Sequence, residues 1–146
     1  MVPNGTLWTA VQLPAIRAAI ALHRDEPAKS VELLASASPY EGANLGAIYL
    51  RGLAYLRLKN GAAAAAEFRK IADHKGVNWA SAWRYPYWAQ FYSLSHLGLA
   101  RAFVLTGDKE KAGKTFQRFF ELWKDADADI PILVEAKNEY AALRLR

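Results

Sequence analysis

The sequence predicts an all-α domain over residues 1–146, a stack of about three helix-turn-helix hairpins closed by a C-terminal capping helix. Three observations predict it. First, LRGLAYLRLKNGAAAAAEFRKI (50–71) and LARAFVLTGDKEKAGKTFQRFF (99–120) share one pattern. A small residue is followed by an aromatic three places on, then a polar break, then alanine and a large apolar residue four apart. Second, the register extends through the chain. Gly52, Tyr55, Ala64, Phe68 and Ile71 correspond to Ala100, Phe103, Ala112, Phe116 and Phe119, and 34 residues upstream to Ala18, Ala21, Ser30, Leu34 and Ala37. Third, the composition is 53% hydrophobic and 23% charged, which suits a globular chain long enough to bury a core without staples.

The spacing has a geometric reason. Small residues on both helices of a hairpin let the backbones approach, and large residues three or four places away fill the space around that contact on the same faces. A lone hairpin cannot bury its apolar face, so neighbouring hairpins must stack. The units fall near 11–44, 45–78 and 93–126.

In chain order, a first helix is expected over about 8–24, with Pro14 ending its first turn or kinking it. The second begins after Asp25 as N-cap, with Pro27 in its first turn, and stops before Pro39. The third covers about 44–59. The fourth covers about 61–74, built on Ala62–Ala66, the strongest helix former in the chain, and closed by Gly76. The fifth runs over about 88–106, Gly107-Asp108 turns the chain, and the sixth runs to about Lys124. DADAD (125–129) is a polar break. Pro131 opens a capping helix over 131–144 with a stripe of Ile132, Val134 or Leu133, Ala136, Tyr140 and Leu143.

The third unit starts 48 residues after the second, not 34. The surplus is residues 79–92, an insertion carrying seven of the chain's eighteen aromatics. Leaving a large ring in water forfeits about 1.5–3 kcal/mol of burial, so most of these rings are expected to pack over the hairpin junction, with Trp88, Phe91 and Tyr92 opening the fifth helix. The alternative is a recognition patch of Trp79, Trp83, Arg84, Tyr85, Tyr87 and Trp88, residue types enriched at binding hot spots.

Catalytic motifs are missing. The chain has no cysteine, hence no thiolate nucleophile and no Cys-ligated metal, and its three histidines (His23, His74, His96) form no metal-ligand spacing. No phosphate-binding loop or nucleophile elbow occurs. DADAD lacks the glycine and glutamate of a calcium loop. The expectation is a non-enzyme that needs no cofactor. The net charge of +5 comes from scattered basic residues without a run of five, so a solvated basic surface explains it better than a nucleic-acid partner. No apolar run reaches bilayer length, and MVPNGTLWTAVQLP has no secretory pattern, so a cytoplasmic protein is expected, without membrane insertion by this chain.

Ala100, Phe103, Gly107, Asp108, Ala112 and Phe116, with the 34-residue period of the first two units, resemble the tetratricopeptide repeat. The resemblance implies a right-handed stack whose concave groove takes a segment of a partner protein. Carried onto matching positions, the groove residues are Tyr49, Leu53, Leu56 and Arg57 in unit two and Leu94, Leu97, Arg101 and Val104 in unit three. The other occupants considered are the capping helix itself and a second copy of the chain in a homodimer. More narrowly, LPAIRAAIALHRDEPAKSVELL, AAAEFRKIADHKG and LWKDADADIPILVEAKNEYAAL look like the C-terminal repeat region of bacterial eukaryotic-like serine/threonine protein kinases; related regions follow winged-helix DNA-binding domains. That resemblance implies a scaffold or interaction module of a bacterial signalling protein. The alternatives are a regulatory module of a winged-helix nucleic-acid-binding protein and a small-ligand sensor built on the aromatic insertion.

Overall fold

Proline and turn chemistry set where each helix begins and ends. The structure, a computed structural model, describes residues 5, 8–43, 45–74 and 89–145. Among the described residues it is helical, with no strand. Helix α1 is Leu13–His23, α2 Pro27–Leu33, α3 Leu45–Arg57, α4 Gly61–Ala72, α5 Ala89–Thr106, α6 Lys109–Leu122 and α7 Pro131–Leu145. A π-turn, Trp8–Gln12, precedes α1, and a 3-10 segment, Ala35–Ala43, follows α2. Each helix packs on the next in sequence. In addition α1 packs on α3 and α3 on α5.

Three turns close the hairpins α1–α2, α3–α4 and α5–α6, and they are built alike. Asp25, Lys59 and Gly107 adopt positive φ of 60°, 57° and 79°. The next N–H in each case reaches back five residues: Glu26 to the Ala21 carbonyl (2.8 Å), Asn60 to Tyr55 (2.9 Å), Asp108 to Phe103 (3.0 Å). This is the bond of a left-handed helix cap, which satisfies a carbonyl the helix end leaves unpaired. The three turns keep the register of the apolar repeat, and the acceptors Ala21, Tyr55 and Phe103 are themselves register positions. Asn60 and Asp108 then cap the following helices, accepting from the Ala63 and Lys111 amides at 3.1 Å each.

The first turn differs from its sequence reading. Asp25 is not the N-cap: it occupies the left-handed position, and Glu26 stands at the cap without a side-chain bond. Nor does the second helix run unbroken toward Pro39. Its α-helical part stops at Leu33, and the 3-10 segment carries the chain through Pro39, bending at Tyr40 (φ −119°, ψ 22°). Pro39 has no N–H to continue an α-helix from Ala35, and tighter turns accommodate that loss. Pro14 acts similarly at the start of α1. It cannot bond the Ala10 carbonyl, which instead accepts the Ser36 hydroxyl at 3.0 Å.

Only Gly107 among the three left-handed residues is free of the penalty a Cβ brings there. Lys59→Gly is therefore expected to raise stability by about 1 kcal/mol, read as a shift of the urea midpoint at unchanged m-value.

Of the fifteen register residues only Tyr55 is half-exposed; the rest are buried. Gly52, Ala64, Ala100 and Ala112, the proposed points of close approach, are all in the interior. The reason is clearest at Phe68 of α4. A Cβ on Gly52 of α3 would lie 2.7 Å from the Phe68 ring, and one on Gly98 of α5 would lie 2.5 Å from it. The ring therefore sits between two bare backbone surfaces. At the first junction the equivalent residue is the smaller Leu34, which clusters with Ala18, Ala47 and Leu50. At the third it is Phe116, with Ala100 and Ala136. Ring size and neighbour size trade off so that each interface closes.

Two register oddities remain polar. Ser30 is fully buried where the other units have Ala64 and Ala112, and Ser95 where unit two has Ala47; neither hydroxyl has a hydrogen-bond partner among the described residues. The helix after Pro131 packs through Leu133 and Ala136, while Val134 faces outward, which resolves the two stripes the sequence allows.

Candidate functional site

The C-terminal halves of α1, α3 and α5 and the face of α7 enclose an open groove. It consists of a cleft of about 660 Å³ beside Ala19, Leu22 and Leu53 and an adjoining one of about 360 Å³ beside Val104, Leu105 and Leu143. Leu56, Lys59, Arg101 and Glu139 line both, so the two are continuous. Six leucines line it together with the charged side chains of Arg57, Lys59, Arg101, Glu135 and Glu139. Of the groove residues named from sequence, Leu53, Leu56, Arg57, Arg101 and Val104 line it.

Three others do not line it. Leu97 is 1% exposed, sealed in a cluster with Phe116, Phe119, Leu133 and Ala136. Leu94 packs half-buried on the same cluster. The groove assignment for Leu97 is thus corrected: α7 lies across the third unit and takes the surface that Leu97 would have offered. Tyr49 packs inward, edge-on to Phe68 with ring centroids 5.7 Å apart and tilted against Phe91 at 5.2 Å. Burial raises the Tyr49 hydroxyl above the ordinary tyrosine value, against a smaller lowering by the Arg101 charge. The patch of Trp79, Trp83, Arg84, Tyr85, Tyr87 and Trp88 lies outside the described residues, as does Gly76. Of the aromatic insertion, Phe91 and Tyr92 are described, and both belong to the first turns of α5.

Both groove arginines are engaged within the chain. Arg101 holds Glu139 in a fork, with Nε 3.1 and 3.0 Å from the two carboxylate oxygens and Nη2 2.8 Å from Oε1. Glu135 adds a contact at 3.3 Å. Burial works to lower the Arg101 pKa, but hydrogen bonding to Glu139 and the charges of Glu139 and Glu135 outweigh it and hold the guanidinium above its ordinary value. Two-point geometry makes this the strongest polar link between α5 and α7. Arg57 donates to the Leu22 carbonyl at the end of α1 and lies 3.5 Å from Asp25. Lys59 has no ion-pair partner among the described residues.

The sequence allowed for the capping helix in the groove, but the residues it brings there, Glu135 and Glu139, were not among those named. Their signal was present, since the two stand four apart and therefore on one helical face. Sequence reasoning also missed the buried pair Arg51–Glu67, 2.8 Å apart, because charged residues are read as solvated by default.

His96 lies partly buried in α5. Its Nε2 is buried without a hydrogen bond among the described residues, and the Tyr92 ring stands perpendicular to it, centroids 5.0 Å apart. Burial lowers its pKa and the Arg118 charge lowers it further, opposed by Asp73. The unfolded chain, titrating near the ordinary histidine value of about 6.5, takes up a proton that the folded chain resists. Stability is therefore full above that value and declines as pH falls below it toward the depressed folded value. The urea midpoint is expected to drop between pH 7.5 and 5.5, and His96→Phe is expected to flatten that change.

Among the described residues no group of three His, Asp or Glu side chains could hold a metal ion, and no helix is long and apolar enough to cross a membrane. Comparison with known proteins adds no relative: no family model, no curated protein and no solved structure matches the chain.

Proposed function

We propose that this chain is a non-catalytic protein–protein interaction module, a right-handed tetratricopeptide-like stack whose groove receives a segment of a partner protein. The observation that carries the reading is the groove of leucines and charged side chains, open to solvent and lined by helices of all three units and by α7. The capping helix occupies the unit-three end, so the partner segment lies mainly on units one and two and meets the Arg101–Glu139 fork as a wall. The resemblance to kinase C-terminal repeat regions supports reading the module as a scaffold of a bacterial signalling protein acting in the cytoplasm.

The test is selection from an unbiased peptide-display library on the purified chain, followed by affinity measurement with the selected peptides. Leu53→Asp and Val104→Asp are expected to weaken binding at least tenfold while circular dichroism melts stay cooperative; Val104 is already 41% exposed, so its variant keeps the fold. A library that yields no peptide, or peptides indifferent to both substitutions, would reject the groove. Sedimentation of the same protein reports whether a second copy takes that place.

A further inference from the structure

The outer edge of α1 carries a feature that the groove does not use. Ile16 and Ile20, four apart on one face, are 50% and 47% exposed. Helical rotation places Arg17 and Arg24 beside them, seven residues and so about 10 Å apart along the axis. Between α1 and α2 a cleft of about 320 Å³ opens next to Ile20, flanked by Arg17, Arg24, Lys29 and Leu33. Lys29 is neutralised by Glu26 at 3.4 Å, but neither arginine has an ion-pair partner among the described residues. Two exposed isoleucines cost burial and two unpaired guanidiniums cost nothing in water, so this edge has apolar surface to cover and positive charge to match.

We infer that this edge docks an acidic amphipathic helix of a partner protein. A helix lying along α1 would set leucine-type side chains against Ile16 and Ile20, with one inserted in the cleft toward Leu33. Carboxylates seven residues apart on that helix would meet Arg17 and Arg24, each able to take a two-point bond. Charge argues against a second copy of the chain, which would bring a net charge of +5 to a surface that is already basic. The small apolar area argues against a bilayer: α1 exposes two isoleucines here, where a membrane-lying helix presents a whole apolar face. The inference is independent of the groove.

The experiment uses the full chain and three probes: a synthetic 21-residue helix with leucine at every third and fourth place and glutamate at seven-residue intervals, the same peptide with lysine for glutamate, and phosphatidylcholine vesicles containing phosphatidylserine. The glutamate peptide is expected to bind, at least tenfold more weakly when salt rises from 50 to 500 mM. Arg17→Glu/Arg24→Glu is expected to abolish that binding and Ile20→Ser to weaken it at least fivefold; all three positions are solvent-facing, so melting curves stay cooperative. Val104→Asp in the groove should leave it unchanged. No binding of the glutamate peptide, equal binding of the lysine peptide, indifference to the arginine variant, or retention on vesicles in place of peptide would each overturn the inference.

Discussion

Arg51→Ala is expected to destabilise the chain by about 3 kcal/mol, the lower end of what removing one member of a buried ion pair costs. The Arg51 and Glu67 side chains are 6% and 11% exposed, with Nη2 2.8 Å from Oε2. The other terminal nitrogen donates to the Ser38 hydroxyl at 3.0 Å and approaches the Leu34 carbonyl at 3.5 Å. One side chain thus ties the end of unit one to the second helix of unit two. Its loss leaves a carboxylate in the interior, and Lys70, 3.1 Å from Glu67 and 40% exposed, offsets only part of that. Against a total of about 5–15 kcal/mol, such a loss removes between about a fifth and about three-fifths of the stability. The discriminating control is Arg51→Met combined with Glu67→Leu, which removes both charges and restores volume. That double variant is expected to lie within about 1 kcal/mol of the parent, since apolar replacement of a whole buried pair is often neutral. Urea denaturation of the two singles and the double gives the coupling directly. A single-variant loss below 1 kcal/mol would show that the pair is not structural.

Gly98→Ala sets two effects of opposite sign against each other. Alanine in a helix interior is better than glycine by about 1 kcal/mol. At Gly98, however, the new Cβ would lie 2.5 Å from the Phe68 ring, which is itself fully buried and cannot swing into solvent. Overpacking of this kind costs about 1–3 kcal/mol, and at so short a separation it wins. A net loss of about 2 kcal/mol is expected. Gly113 in α6 supplies the matched control, for nothing lies within 4 Å of its Cβ position. There Gly→Ala is expected to gain up to about 1 kcal/mol. Phe68→Leu in the Gly98→Ala background should recover part of the loss by returning the space. Thermal melts of the three variants decide it, and a stabilising Gly98→Ala would refute the wedge.

The repeat was legible because close backbone approach admits few residues. Gly52, Ala64, Ala100 and Ala112 announce themselves by size and spacing, and all four are buried. Gly107-Asp108 likewise states its turn, since glycine suits a left-handed φ and aspartate suits a cap. Asp25 and Lys59 give no such sign. They adopt that φ because the helix ends around them require it, and tertiary context overrides their preference. The 3-10 segment was hidden for a related reason: Pro39 marks an end to α-helix but leaves open whether the chain then tightens, extends or turns. In the groove, Leu53, Leu56 and Val104 are placed by helical phase alone. Leu97 shares that phase, yet its exposure depends on where α7 lies, and no local pattern encodes the docking of a distant helix.

The ring of Phe68, held by backbone on two sides, has a mechanical consequence. Bare main chain cannot change rotamer, so the second and third units are braced against each other as one block. At the preceding junction no ring is wedged in this way: Leu34 clusters with Val11, Ala18, Ala37 and Ala47. That junction is held instead by the Arg51 side chain, which reaches Ser38, Leu34 and Glu67 at once.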